Sequence, residues 1–354
     1  MRRKMIRYCR EHLFSVISVF SETILPFLGV LTLLNILPAF LYGCSIPEEL
    51  QDPPVRSDIS VALTGNEKRI RELDIFVFKD DRLQKLDCYQ KVKDPSSWNR
   101  EVVSGYGDRL LAVCANSGKE IMEWADISSL ASLMSLRISL EDDSPRYPFM
   151  CGLEEVAAGN DGRHTDMEIS PLSSIVELRS ICCDFSGRPY YDAKLTDAKA
   201  YLTNVNSECG FFDEMDILPT RIINAGGLCI EEMKEMKDAS VLYGEFSKDI
   251  GRNVINPGFS FICYPNNSIT ESPGTPFTRL VIEGKILGKT YYWPIDINRE
   301  NGGTGICRNQ KYIYDIRITR KGSTDPDIPV RSDDIDIRSE VRKWKETEGY
   351  EVKF

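Results

Sequence analysis

From Asp58 onward, short apolar, β-branched and aromatic runs alternate with clusters of turn-forming residues, the pattern of an all-β chain. ISVALTG (Ile59–Gly65) alternates along its length, and RELDIFVFKDDRLQKLDCYQ (71–90) predicts two strands joined by a tight turn at Lys79–Arg82. In LDIFVF (Leu73–Phe78) both faces are apolar, so this strand is expected at the centre of a sheet and covered on both sides. DRLLAVCANSG (108–118) predicts a further strand running into a turn. One helix is expected over KEIMEWADISSLASLMSL (119–136), where Ile121, Trp124, Ala125 and the later leucines recur near a helical period. Strand patterns return in LRISLED (136–142), YPFMCGLEEVAAG (147–159) and HTDMEISPLSSIVELRSICCDF (164–185).

A second β block follows. KAYLTNVNSECGFF (199–212) and GFSFICYPNN (258–267) are strand-like, with a partly helical excursion, CIEEMKEMKDASVLYGEF (229–246), between them. TRLVIEGKILGKTYYWPIDI (278–297) reads as a hairpin turning at Gly288. QKYIYDIRITRKG (310–322) is the cleanest amphipathic strand, with Tyr312, Tyr314, Ile316 and Ile318 on one face. The tail from Asp334 alternates again and ends in YEVKF, where it would complete a sheet edge or serve a neighbour. These patterns predict an all-β fold of two sandwiches with short helical insertions, divided near residues 165–175 into 58–170 and 171–354.

The N-terminus follows another pattern. Basic residues cluster in 1–12, and the 19 residues Ile24–Tyr42 carry no charge, broken only by Pro26, Asn35 and Pro38. A positive segment, an apolar segment and a small residue describe a secretory signal over 1–43; an uncleaved membrane helix is the alternative. Leu41-Tyr42-Gly43-Cys44 resembles a bacterial lipobox, which makes Cys44 the expected lipid attachment point. After it, SIPEELQDPPVRSD is polar, acidic and proline-rich, and reads as an extended tether over 44–57.

Composition narrows the function. The 354 residues carry 44 Lys and Arg against 54 Asp and Glu, a net charge of −10, and the part beyond residue 43 is more acidic still. Such a body repels phosphate backbones and argues against nucleic acid as a partner. Eleven cysteines are scattered without a C-x-x-C pair, so most are expected to be buried free thiols, with one or two disulfides open. In the adjacent pair Cys182-Cys183 alternation sends the side chains to opposite faces, so at most one joins the core.

Candidate chemistry is sparse, and no catalytic residues, cofactor or metal site are expected. His12 and His164 are the two histidines, and GRHTD (162–166) surrounds His164 with no catalytic motif, so it reads as a surface residue. Zinc ligands at chelating spacing are missing. NGGTGIC (301–307) and AGGLC (225–229) match no phosphate-binding loop and read as turns; DDSPRYP (142–148) and STDPDIP (323–329) lack the glycine and glutamate of an EF-hand.

Four segments together resemble the Bacteroidales fimbrillin superfamily, in particular its Mfa/FimB-type fimbrial anchor and accessory pilins of type V pili. They are the lipobox with its acidic tether, ELDIFVFKDDRLQKLD, LLAVCANSG, and the stretch from Phe261 to Asp327. The last holds Tyr264-Pro265-Asn266, Thr278-Arg279-Leu280, Arg308-Asn309, Tyr312 and Gly322 in the family's order. The resemblance implies two transthyretin-like sandwiches, lipidation at the outer membrane, and a non-enzymatic role in surface fimbriae assembled with other pilins by strand exchange. It also implies arginine-specific processing. A cut at Arg56 would free the lipid and keep the strand ISVALTG, as suits an anchor or accessory subunit; a stalk-type cut would fall near Lys68, Arg69 or Arg71. The competing expectation is a glycan-binding or adhesive surface lipoprotein, with TYYWP (290–294) as an aromatic platform and Trp293 at its centre.

Overall fold

A computed structural model describes residues 56–65, 69–157, 163–212, 219–236, 238–330 and 335–344. The period-2 runs of the first block form β1 (Arg56–Gly65), β2 (Leu73–Lys79), β3 (Leu86–Val92), β4 (Glu101–Gly105), β5 (Arg109–Ala115), β6 (Arg137–Ser139), β7 (Met150–Val156) and β8 (Arg163–Pro171). All but β6 belong to one seven-stranded sheet in the order β3-β2-β5-β7-β8-β1-β4. Its pairs are antiparallel except β1 with β8. The β2–β3 hairpin forms, but its connection is longer than the tight turn expected at Lys79–Arg82: Lys79 still belongs to β2 and its amide bonds to the Lys85 carbonyl at 3.0 Å, while the Asp81 carboxylate shapes the loop by accepting the amides of Leu83 and Gln84, both at 2.9 Å. At the far ends of the sheet, Asp87 of β3 accepts the Gly105 amide of β4 at 2.7 Å. The sheet therefore curls until its two end strands meet, enclosing Ile59, Val61, Leu63, Ile75, Val77, Leu111, Val113 and Met167.

The double apolar face of β2 has the predicted consequence: all six residues Leu73–Phe78 are buried. Ile75 and Val77 face the enclosed core, while Phe76 and Phe78 turn outward into a second, larger core with Ala112, Cys114, Trp124 and Leu133. The expected helix over 119–136 is instead broken into a single 3-10 turn, Ile121–Trp124, and α1, Leu130–Met134. Between them the backbone is engaged elsewhere: the Ser128 carbonyl accepts the Leu86 amide at 2.9 Å and the Leu130 amide donates to Gln84 at 3.0 Å. A helix cannot run through residues whose peptide groups pair with a strand. Ser129 restarts it with a capping box to Ser132.

The second block supplies β9 (Ser174–Cys183), β10 (Thr196–Thr203), β11 (Val205–Asn206), β12 (Glu208–Gly210), β13 (Ile222–Ile223), β14 (Tyr243–Glu245), β15 (Phe259–Cys263), β16 (Arg279–Ile286), β17 (Lys289–Asp296), β18 (Gln310–Ile318) and β19 (Ile335–Lys343). They form two four-stranded sheets, β14-β10-β16-β17 and β15-β9-β18-β19, with β11 paired to β13 and β12 paired back to β6. Between the sheets lie Val176, Leu202, Phe261, Leu280, Ile282, Trp293, Tyr312 and Ile316. The hairpin at Gly288 is a two-residue turn with φ of 51° at Leu287 and 81° at Gly288, the left-handed pair that matches strand twist. Tyr312, Tyr314, Ile316 and Ile318 are all buried on β18, as their alternation predicts. The turn AGGLC leads from β13 into α2 (Ile230–Glu235), the helical part of the excursion expected over 229–246; the Asn224 side chain shapes the turn by accepting the Cys229 amide at 2.9 Å. Among the described residues no helix is long and apolar enough to cross a membrane.

Candidate assembly interface

β1 lies inside the sheet, parallel to β8 over seven pairs from Ile59–Arg163 to Gly65–Ile169 and antiparallel to β4 from Arg56–Gly105 to Ser60–Glu101. Its alternation is strict: Ile59, Val61 and Leu63 are buried, while Asp58, Ser60 and Thr64 face outward. Burying three such side chains contributes about 1.5–3 kcal/mol each, so the strand is bound by its side chains as well as by its backbone ladder.

The walls of this slot are held by contacts that do not involve β1. Arg163, buried at the start of β8, donates to the Gly105 carbonyl at 2.8 Å, the Gly107 carbonyl at 3.0 Å and Ser104 Oγ at 2.7 Å. Arg109 Nε donates to Asp87 Oδ2 at 3.0 Å, beside the Gly105 amide. Burial pushes the Asp87 carboxyl up, but the Gly105 amide and Arg109 outweigh it and hold the pKa below its ordinary 3.8. A glycine suits position 105, because a Cβ there would stand 2.5 Å from Arg109 Nη2 and 3.0 Å from Asp87 Oδ2 and push the ion pair aside. β4 is thereby fastened to β3, β5 and β8 on its own account.

The other end of the chain presents a sheet edge. β19 pairs with β18 along nine residue pairs and is the last strand of its sheet, largely exposed from Asp336 to Lys343. Arg179 clamps Asp315 and reaches Glu340 across this surface. A cleft of about 810 Å³ runs beside it, lined among others by Cys182, Asp296, Arg299, Asp315, Arg317 and Ile337. Trp344, just past β19, is buried and carries the Arg69 guanidinium 5.2 Å from its ring centroid, so the segment that follows β1 rests on the segment that follows β19.

Of the residues singled out in the sequence, Cys44 and Lys68 lie outside the described residues. Arg56 opens β1, with its backbone opposite Gly105. Arg69 is half-buried on Trp344, whereas Arg71 is exposed, its guanidinium 5.0 Å from the Tyr147 ring and its amide bonded to Asn116. His164 is a surface residue: it sits 3.4 Å from Ser60 Oγ and 3.3 Å from Asp166 Oδ1, with 59% of its side chain and 75% of the aspartate's in water. The fold thus brings a serine, a histidine and an aspartate together, but so open to solvent that water competes for each contact and holds none of the three in a fixed geometry. Cys183 joins the larger core and Cys182, on the other face, lines the cleft. NGGTGIC is a turn, with Gly302 and Gly305 both at φ 81°.

The aromatic platform is overturned. Trp293 is fully buried, its indole N–H donating to the Arg320 carbonyl at 3.2 Å, so it presents no face to a sugar. Gly322 packs against it: a Cβ there would stand 2.9 Å from Trp293 Cε2 and 2.1 Å from the Tyr292 carbonyl oxygen. The other landmarks of the C-terminal stretch are also packing devices. Arg279 is buried and paired with Asp296 at 2.7 Å, Glu271 at 2.6 Å and Asp327 at 2.5 Å, which engages one acid of STDPDIP. Tyr312 accepts the Cys307 amide at 2.9 Å and donates to Gly305 at 3.2 Å. Asp143 of DDSPRYP accepts the Ser144 and Phe149 amides, both at 2.8 Å, and the Tyr264 hydroxyl at 3.2 Å. Among the described residues no group of three acidic, histidine or cysteine side chains is placed to hold a metal.

No protein-family model matches the sequence, and no curated protein does. Solved structures do match. A fimbrilin from Porphyromonas gingivalis W83 aligns with a TM-score of 0.60 at 14% identity, over 82% of this chain and 98% of that one. A candidate cell-adhesion protein from Bacteroides eggerthii gives 0.60 at 17% identity, over 82% and 96%, and one from Parabacteroides distasonis gives 0.58 at 15%, over 82% and 100%. The chain has the fold of these Bacteroidales fimbrial and adhesion proteins; at such identities the likeness is one of fold.

Proposed function

We propose that the chain is a lipid-anchored structural subunit of cell-surface fimbriae, an anchor or accessory pilin held at the outer membrane through Cys44 and joined to other pilins by strand exchange. The placement of β1 carries this reading. It is an interior strand with an alternating apolar face, it begins where the tether ends, and its slot has walls fastened without it. A partner strand with the same alternation fits that slot by backbone pairing and side-chain burial. Processing at Arg56 frees the lipid and keeps β1, whereas a cut at exposed Arg71 detaches β1 and opens the slot. The body then works as two sandwiches, 58–170 and 171–354, with the β19 edge and tail as the second contact region.

The test is mass spectrometry of the mature N-terminus from cells, together with association assays. Diacylglyceryl-modified Cys44 as the first residue is expected. A chain that retains residues 1–43 overturns the lipid anchor. Heat-resistant, laddered oligomers with a partner pilin are expected; failure to associate, both intact and after arginine-specific trimming, overturns strand exchange.

A further inference from the structure

The nine cysteines within the described residues are all thiols, and two of them face each other. Cys114 of β5 and Cys151 of β7 are direct partners in an antiparallel register. Both side chains point into the larger core and both are buried. Directly opposed residues hold their Cβ atoms about 4.5–5.5 Å apart, and a disulfide needs about 3.5–4.5 Å, so a small adjustment of the pair closes the bond.

The surroundings of the two sulfurs differ. Arg308 reaches across from the second block, donating from Nη2 to Cys151 Sγ at 3.6 Å and to the Ser170 carbonyl and hydroxyl, both at 3.3 Å. An arginine beside sulfur favours negative charge on it. The Cys151 thiol in turn donates to the Phe211 carbonyl, a bond given up when the thiolate forms. At Cys114, burial, then Cys151 and Asp74, push the thiol well above its ordinary value. Cys151 is therefore the sulfur suited to attack and Cys114 the one suited to resolve.

We propose that Cys114 and Cys151 form a redox pair that closes as a cross-strand disulfide by exchange with a low-molecular-weight disulfide as the protein folds outside the cytoplasm. Its use in the cell rests on the export proposed above. The Cys151 thiolate attacks one sulfur of the oxidant, forming a mixed disulfide and releasing one thiolate, which takes up a proton. Cys114 then gives up its proton and attacks Cys151 Sγ, expelling the second half of the oxidant. The protein loses two protons and two electrons, and the oxidant takes up both to become two thiols. Because both sulfurs are buried once β5 and β7 pair, exchange belongs to folding or to transient opening. The bond would tie β5 to β7 at the two ends of the insertion that carries α1 and β6.

The full chain, reduced and unfolded, is refolded in a mixture of reduced and oxidised glutathione, quenched in acid, and alkylated under denaturing conditions. Peptide mass spectrometry is expected to show the Cys114 and Cys151 peptides joined, about 2 Da lighter than the two thiol peptides because two hydrogens have left, and alkylation of Cys151 in Cys114→Ala. Should that variant fail to fold, the parent chain alone decides. Full alkylation of both cysteines in refolded parent protein overturns the proposal. This experiment is independent of compartment, which the mature N-terminus decides separately.

Discussion

At the residue scale, the side chains that look most available for function are committed to packing. Trp293 is the clearest case: it is the centre of an aromatic cluster in sequence and the floor of a core in the fold. Trp293→Ala is expected to cost about 3–5 kcal/mol in urea unfolding, as a large buried aromatic removed from a closed site. Loss of sugar binding by a folded Trp293→Ala protein would contradict this. Leu287 shows the converse. It holds φ of 51° at an exposed turn, a conformation that costs a residue with a β-carbon about 1–2 kcal/mol and that asparagine tolerates. Leu287→Asn is expected to raise stability by about 1 kcal/mol, read as a higher urea midpoint with unchanged slope.

At the scale of elements, β1 and the β6–β7 loop carry the consequences. Val61 is buried at the middle of β1, so Val61→Asp places an unpaired carboxylate in the enclosed core and is expected to destabilise by roughly 3 kcal/mol or more. A carboxylate on the outward face of the same strand is tolerated by comparison: Ser60→Asp should change stability by less than about 0.5 kcal/mol. The Asp143 loop joins the first block to Tyr264 at the end of β15. The residue is half-exposed, but its carboxyl is sunk among its partners, and burial, only partly offset by the amides of Phe149 and Ser144, raises its pKa from 3.8 to about 6. The folded state therefore binds a proton that the unfolded chain releases between these values. Its contribution to stability is complete below 3.8 and is lost as pH rises through about 6. Asp143→Asn should flatten that part of the stability profile in urea titrations at successive pH values.

At the scale of the whole molecule, hairpins and strand alternation were legible because they depend on neighbours in sequence: the β2–β3 and β16–β17 hairpins and the buried face of β18 follow from period-2 patterning and turn chemistry. What escaped depended on distant chain. β4 is short and ends in Ser104 and Gly105; its ladder is formed with β1, while Asp87 and Arg163 hold its Ser104–Gly105 end independently. The predicted long helix broke because Ser128 and Leu130 bond to Leu86 and Gln84, far earlier in the chain. Arg163, Arg109 and Asp87, which brace the candidate slot, carry no local motif and become a group only when β3, β4, β5 and β8 meet.

The sequence by itself determined an all-β chain, the alternating face of β1, the charge balance and the lipobox-like segment ending at Cys44, because each is written in residue order and spacing. Only the tertiary structure decided that β1 is an interior strand with independently braced walls, that Trp293 is core, and that Cys114 faces Cys151 beside Arg308. The physical reason is the same in each case. Burial, register and ion pairing are properties of pairs of residues far apart in the chain, and they come into being when the sheets close.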